Sequence, residues 1–192
     1  MIDTRDLSQF REPAALRDGT PLLIRTARAD DRQRIVAAFE KLDQQTIYTR
    51  YFAYRKNLSE TELNRLDAPD FDRFIMLVVT LGSGVDETVI AAAICVVLEI
   101  TGPNRAAEVA FTVEEDYQRQ GLAGKLLATI TGIARSRGIN RLEADVLAGN
   151  VAMLSVFQRS GLPMTTSRSG GVVHLVLHLT PETPAQAVTG KK

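Results

Sequence analysis

Between Tyr117 and Lys125 the chain reads Tyr-Gln-Arg-Gln-Gly-Leu-Ala-Gly-Lys, which sets three small residues, Gly121, Ala123 and Gly124, among polar and cationic ones. An apolar run precedes it and helix-periodic apolar residues follow, so the stretch is a strand-to-helix turn. The first amides of a helix lack partners and carry partial positive charge, and small residues let a ligand approach them. A phosphate or diphosphate is the chemistry such a turn can hold, with Arg119 and Lys125 adding charge. Spacing alone also fits close helix packing with solvated basic side chains. A G-x-x-x-x-G-K-[ST] loop is absent, and G-x-G-x-x-G is met only in part.

Just upstream, Glu108 lies in Ala107-Glu108-Val109-Ala110-Phe111-Thr112-Val113. A carboxylate on a strand leading into that turn could take a proton from a group held nearby, and in an apolar cleft its proton affinity would rise to suit that task. A solvent-facing strand glutamate fits the spacing equally well.

These residues need a scaffold. Leu22–Ala27 reads as a strand, and Ile35, Val36, Phe39 and Leu42 recur at helical spacing behind Asp30 or Asp31 as a cap. A second helix runs through Tyr48–Phe52, and Ser59-x-x-Glu62 opens a third. Phe74–Thr80, Val89–Ile100 and Ala106–Val113 are strands joined by short turns, the last pair through Thr101–Asn104, which implies an antiparallel meander. Leu122, Leu126, Leu127, Ile130 and Ile133 form one face of a helix ending at Arg137-Gly138. Leu142–Leu147 is a strand, a helix follows Asn150 and ends near Gly161, and Val172–Leu179 is the last strand. The fold class is therefore a mixed α/β sheet, mostly antiparallel and flanked by helices, not a doubly wound one. Residues 1–20, with Pro13 and Asp18-Gly19, read as an N-terminal extension, 21–180 as one domain, and 181–192 as a disordered tail.

Composition narrows the function classes. Lys plus Arg and Asp plus Glu both number 23, which gives no general attraction to nucleic acid or an acidic membrane. With a single cysteine there is no internal disulfide framework, and no Cys/His cluster has metal-ligand spacing, so no metal is expected. Lacking a signal peptide or membrane-length apolar run, the chain is expected to be cytoplasmic, with a homodimer as one assembly it could form.

Gln118, Gly121 and Ala123 give Q-x-x-G-x-A between strand and helix, which resembles the acetyl-CoA signature Q/R-x-x-G-x-G/A of the GNAT superfamily. The flanking elements follow that superfamily's order over roughly 22–179, and Phe157–Leu162 (FQRSGL) stands where its Y-x-K-x-G-F helix end is found. The resemblance implies an acetyl-CoA-dependent N-acetyltransferase of GNAT fold, its central sheet splayed at the cofactor cleft. The diphosphate would be gripped by Gln118, Arg119, Gln120, Gly121, Leu122, Ala123, Gly124 and Lys125. Main-chain groups of Phe111, Thr112 and Val113 would bind the pantetheine arm, an N–H near Val109–Phe111 would polarise the thioester oxygen, and Asn150 would touch the arm. A bulge in that same strand would open the cleft. Ala107–Phe111 is similar to the strand carrying the catalytic glutamate of histone-type and Pat-type lysine acetyltransferases, which makes Glu108 the general base. Thr46–Phe52 (TIYTRYF) with the following Leu58–Leu63 resembles the S-x-Y-x-R-F-F segment of the Pat type and its next helix. The implied acceptor is a primary amine, a protein lysine or a small molecule.

Two departures stand out. Phe157 occupies the place of a tyrosine that can protonate the leaving thiolate, and phenylalanine has no proton to give. The further domains that Pat-type chains often carry do not fit in 192 residues. The competing reading is a non-catalytic acyl-CoA-binding sensor or scaffold. Cys95, in an apolar run, reads as a buried inert thiol, His174 and His178 as packed or solvated residues on one strand face, and the Arg28–Arg34 charge cluster as a solvated helix start.

Overall fold

In a computed structural model, residues 6–67, 70–98 and 105–179 are described. Eight strands form one sheet in the order β1-β2-β3-β4-β5-β6-β8-β7. They are β1 Arg11–Ala15, β2 Pro21–Thr26, β3 Phe74–Leu81, β4 Thr88–Val97, β5 Ala106–Val113, β6 Arg141–Leu147, β7 Met164–Ser169 and β8 Val172–His178. Every pairing is antiparallel except β5 with β6. Helices α1 Arg32–Lys41, α2 Gln44–Tyr51 and α3 Glu60–Asp67 connect β2 to β3, α4 Leu122–Ser136 connects β5 to β6, and α5 Val151–Gln158 follows β6.

Both sheet faces are covered. On one, Leu122, Leu126, Leu127, Ile130 and Ile133 of α4 and Phe157 of α5 pack with Ala107, Val109, Phe111, Leu142, Ala144 and Val146, all buried. On the other, Ile35, Leu63 and Leu66 of α1 and α3 meet Val78 and Val89 in a smaller cluster. Period-two alternation in β5 sends Ala107, Val109 and Phe111 into the first core, leaving Glu108, Ala110 and Thr112 on the face toward α1–α3.

The N-terminal segment expected as an extension contributes to the sheet. Leu7 and Phe10 are buried in the main core, β1 pairs with β2 from Arg11↔Arg25 to Ala15↔Pro21, and the Thr26 hydroxyl donates to the Leu7 carbonyl at 2.6 Å. A second strand unforeseen in the sequence is β7, on the opposite edge, paired with β8. The expected turn at 101–104, the end of the strand at Ile100 and the tail at 181–192 lie outside the described residues.

Of the charge cluster before α1, Asp30 is exposed and Arg28, Arg32 and Arg34 are partly so, but Asp31 is not solvated and pairs with Arg25 of β2. Asp31 is 0% and Arg25 2% exposed. Two Arg25 nitrogens donate to the Asp31 carboxylate at 2.6 and 2.7 Å, and Arg25 reaches Glu87 at 3.0 Å. Asp31 also accepts from the Arg28 amide at 2.9 Å and puts no side-chain cap on α1, because its carboxylate turns inward to neutralise the buried guanidinium. That pairing raises the Arg25 pKa; for the Asp31 carboxyl, burial is the largest single influence and raises it, but Arg25, the Arg28 amide and Arg34 together outweigh burial and leave it lowered. Ser59 and Glu62 form the expected capping box of α3, the Ser59 amide donating to Glu62 at 2.8 Å.

Candidate active site

Strands β5 and β6 are in register only from Ala106↔Arg141 to Glu108↔Glu143. Beyond Glu108, β5 stays paired with β4 as far as Ala91↔Val113, so the two parallel neighbours part and leave a cleft. The expected bulge in β5 is not what opens it. The sheet's irregularity is in β4, where Val79↔Ala91 and Thr80↔Val89 leave Ile90 without a counterpart on β3.

Ladder alternation decides which β5 amides face the cleft. Leu98 N–H donates to the Ala106 carbonyl and Glu114 N–H to the Ile90 carbonyl, so even-numbered residues of β5 bond to β4. Val109, Phe111 and Val113 therefore turn their main chain toward the splay. Thr112, expected among the cofactor contacts, instead turns its main chain to β4 and its side chain toward α1–α3. Glu108 stands at the last paired position and is exposed. The burial expected of it is absent: its side chain borders a mainly apolar cavity yet stays exposed.

The turn after β5 has the anticipated geometry. Arg119 and Gly121 both adopt left-handed backbone, φ 62° and 86°, which swings the chain into α4. No side chain caps α4, and among the described residues no hydrogen bond occupies the amides of Gln120, Gly121, Leu122, Ala123 or Gly124. A Cβ placed on Gly121 or Gly124 would meet nothing within 4 Å, so the approach is open. An anion would supply the missing cap, and the turn fits a diphosphate. Leu122 contributes only its amide, since its side chain is buried in the core. Arg119 and Lys125 are exposed, with no partner among the described residues.

Gln118 and Gln120 do something the sequence did not reveal. The Gln118 side-chain amide donates to the Val113 carbonyl at 3.2 Å and to the Thr46 hydroxyl at 3.3 Å, while its own N–H donates to the Glu115 carbonyl at 3.1 Å. Its donors are thus spent, which makes it a strut tying the turn to β5 and α2. Gln120 accepts from the Arg17 amide at 3.3 Å, which brings the β1–β2 hairpin against the same turn. Asn150 caps α5, its side-chain oxygen accepting from the Met153 amide at 3.1 Å, which leaves its NH₂ to donate to a ligand. Phe157 is buried edge-on against Phe111, ring centroids 5.9 Å apart.

On the other side of β5 lies a cavity of about 370 Å³ between the sheet and α1–α3. Its walls are mainly apolar, with Phe39, Leu42, Leu63, Met76 and Ile94 among them, and Glu108 belongs to its lining. Tyr51 also lines it, its ring held between the guanidiniums of Arg50 and Arg55 at 4.7 and 4.4 Å. Arg55 makes a bidentate pair with Glu62 at 3.0 and 2.5 Å, which holds the Glu62 carboxyl down at about 2. Burial, by contrast, pushes the Tyr51 phenol up.

Elsewhere, Cys95 is fully buried and its thiol is pushed up to about 12 by that burial, which keeps it inert. His174 Nδ1 lies 2.7 Å from an Asp145 oxygen. Among the described residues no helix is long and apolar enough to cross a membrane.

Comparison with known proteins agrees with this geometry. The family model described as "Acetyltransferase (GNAT) family" matches residues 27–162. Acetyltransferase Pat of Mycolicibacterium smegmatis is 31% identical over 150 residues, covering 78% of this chain and 43% of that protein. This chain therefore spans less than half of that relative's length. The crystal structure of the GNAT domain of S. lividans PAT superposes with a TM-score of 0.79 at 33% identity, covering 88% of this chain and 96% of that one. YncA from Salmonella typhimurium, described as a putative acetyltransferase with its cofactor acetyl-CoA, shares the fold at TM-score 0.63 and 19% identity, covering 86% and 98%.

Proposed function

Because the chain belongs to the GNAT acetyltransferase family, we propose that it transfers an acetyl group from acetyl-CoA to a primary amine, with Glu108 as general base. The observation that carries the proposal is that Glu108, the last β5 position paired with β6, lines a cavity large enough for an acceptor on the same strand that leads into an uncapped helix start fitting a diphosphate. A small-molecule site of a few hundred Å³ with few polar groups is typical of such cavities.

Acetyl-CoA, when bound, supplies the activated acyl group. The chain's own groups do the rest. Amides from Gln120 to Gly124, with Arg119 and Lys125, would hold the diphosphate, and the main chain of Phe111 with the N–H of Val113, whose carbonyl already accepts from Gln118, would extend the sheet ladder to an amide-bearing arm. A cleft-facing N–H of Val109 or Phe111 would donate to the oxygen on which charge develops. An amine must be neutral to attack, and Glu108 takes its proton directly or through water, which an exposed carboxylate can pass on to solvent. Phe157, buried against Phe111, gives no proton to the departing sulfur; a thiolate is a weak enough base to leave without one.

The test is release of free CoA from acetyl-CoA by the purified protein over a panel of lysine peptides, amino acids and polyamines, alongside calorimetric binding of acetyl-CoA. Binding with no release above background for any amine would replace this reading with a non-catalytic acyl-CoA sensor.

A further inference from the structure

The cavity carries more charge information than its apolar walls suggest. Around α1–α3, Arg32, Arg34 and Arg55 have carboxylate partners at 3.4 Å or less, and Arg65 of α3, which has none, is exposed over the Phe74 ring. Arg50 has none, and Arg50 lines the cavity. Its guanidinium rests 4.7 Å from the centroid of the Tyr51 ring, a contact that occupies one face of the planar group and leaves its N–H edge without a hydrogen-bond acceptor among the described residues. The residue is half-buried, so the free charge is partly removed from water. Arg50 is on α2, which packs over both β5 and β6, and Thr46, one turn earlier on that helix, is the residue tied to Gln118. Through Gln118 the preceding turn of this helix, at Thr46, lies by the Val113 end of β5, where β5 and β6 have parted.

Resting on the transfer reading above, we propose that the acceptor is an apolar primary amine bearing a carboxylate, of the class of α-amino acids with a large aliphatic or aromatic side chain. Each part of such a molecule has a counterpart. The amine meets Glu108, the carboxylate meets the open edge of Arg50, which presents paired N–H donors in the fork geometry a carboxylate matches, and the side chain fills the space walled by Phe39, Leu42, Leu63, Met76 and Ile94. Other charged groups on the lining agree with this division. Glu62 is spent on Arg55, Arg65 is exposed to solvent over the Phe74 ring, and Glu114, one residue past β5, lies six residues from Glu108, about 20 Å away for extended chain. Arg50 is thus the half-buried cation of the lining with no carboxylate partner among the described residues, Arg65 being exposed. A polyamine would bring a second ammonium toward Arg50, and a polyhydroxylated amine would leave its hydroxyls unpaired against apolar walls. An α-amine also has a larger neutral fraction at neutral pH than a lysine side chain, which eases the proton transfer.

The experiment measures CoA release with L-phenylalanine, L-leucine, phenethylamine, spermidine and a lysine peptide, for the native chain and for Arg50→Gln and Arg50→Lys. The expected result is highest kcat/KM for the two amino acids. Arg50→Gln should lose about 10- to 100-fold more on L-phenylalanine than on phenethylamine, which lacks the carboxylate, mainly through KM, with Arg50→Lys recovering part of it. Calorimetry of L-phenylalanine into the CoA-saturated protein should show the same loss without turnover. Transfer to the lysine peptide or spermidine but not to the amino acids would overturn the inference and leave the transferase reading standing, as would an equal loss on both phenyl amines. No CoA release from any amine would end both.

Discussion

The two sides of β5 are built on different principles. Toward α4 and α5 the site is main chain: uncapped helix amides, two left-handed residues, and strand groups left open where β5 and β6 part. Those atoms are fixed by the large core behind them, in which Leu122, Leu126 and Phe111 are buried. Toward α1–α3 the site is side chains on helices of ten residues or fewer, kept in place by ion pairs such as Arg25 with Asp31 and Arg55 with Glu62. Backbone recognition suits a ligand whose chemistry never varies, because an amide can be changed only by changing the fold. Side chains on a thinner layer suit the ligand by which related proteins differ. If the division holds, each substitution should move the parameters of one ligand and spare the other's.

Glu108→Gln tests the point where the two sides meet and should have the largest effect. General-base catalysis contributes about 10²–10⁴-fold, so kcat should fall within that range while calorimetric affinity for acetyl-CoA stays unchanged. A near-native kcat would remove Glu108 from the chemistry. The next largest effect is on the acceptor layer itself. Asp31→Ala leaves the Arg25 guanidinium, 2% exposed, with only Glu87 for compensation, and loss of one partner of a buried pair costs about 3–5 kcal/mol. Chemical denaturation should show that loss; a change below about 1 kcal/mol would mean that water solvates Arg25 as well as Asp31 does.

Gly121→Val acts on the cofactor side. At φ 86° a β-branched residue is strained by about 1–2 kcal/mol, and its side chain would occupy the open approach to the α4 amides. Acetyl-CoA affinity should drop about tenfold or more, with KM for the amine little changed once acetyl-CoA is saturating. An equal loss for both ligands would break the division between the two sides.

That division also explains what the sequence made legible. The proposed cofactor turn shows as a pattern because gripping a phosphate with main-chain amides demands residue types, Gly121 and small neighbours after a strand, at fixed spacing. The core-facing elements were likewise readable: β5 spans the expected Ala106–Val113, and the apolar stripe of α4 matches its buried face. Both missed strands are edges. Arg11-Glu12-Pro13-Ala14-Ala15 holds a proline and no β-branched residue, which only an edge tolerates, and Met164–Ser169 is almost wholly exposed, so neither had a buried face to leave a hydrophobic period. In the sequence Asp31 reads as solvated for a related reason: a buried charge looks like a surface one until its partner, here Arg25 six positions away and across a turn, is known. Gln118 matched a family signature, but its action as a strut to Thr46, 72 residues away, is a tertiary fact.

The smallest expected effect concerns pH and the acceptor wall. Glu62 accepts from Arg55 and from the Ser59 amide and hydroxyl, and Arg55 in turn covers Tyr51, so this carboxylate anchors α3 against the cavity. Its pKa, lowered from 4.5 to about 2 chiefly by Arg55, makes the ionised form the one that favours folding. The contribution is fully present above pH 4.5 and is lost as pH falls through about 2, since the unfolded chain takes up the proton first. The pair is partly exposed and screened, so about 1 kcal/mol is expected rather than the full value of the shift. Denaturation of the native chain and of Glu62→Gln between pH 6 and pH 2 should show a gap that is constant down to about pH 4.5 and closes below it. A gap that widened on acidification would mean that Glu62 is a burden in the folded state. The acetyl-CoA affinity of Glu62→Gln should match the native value at pH 6, because the carboxylate stands on the side-chain face of β5, with the strand itself between it and the α4 amides.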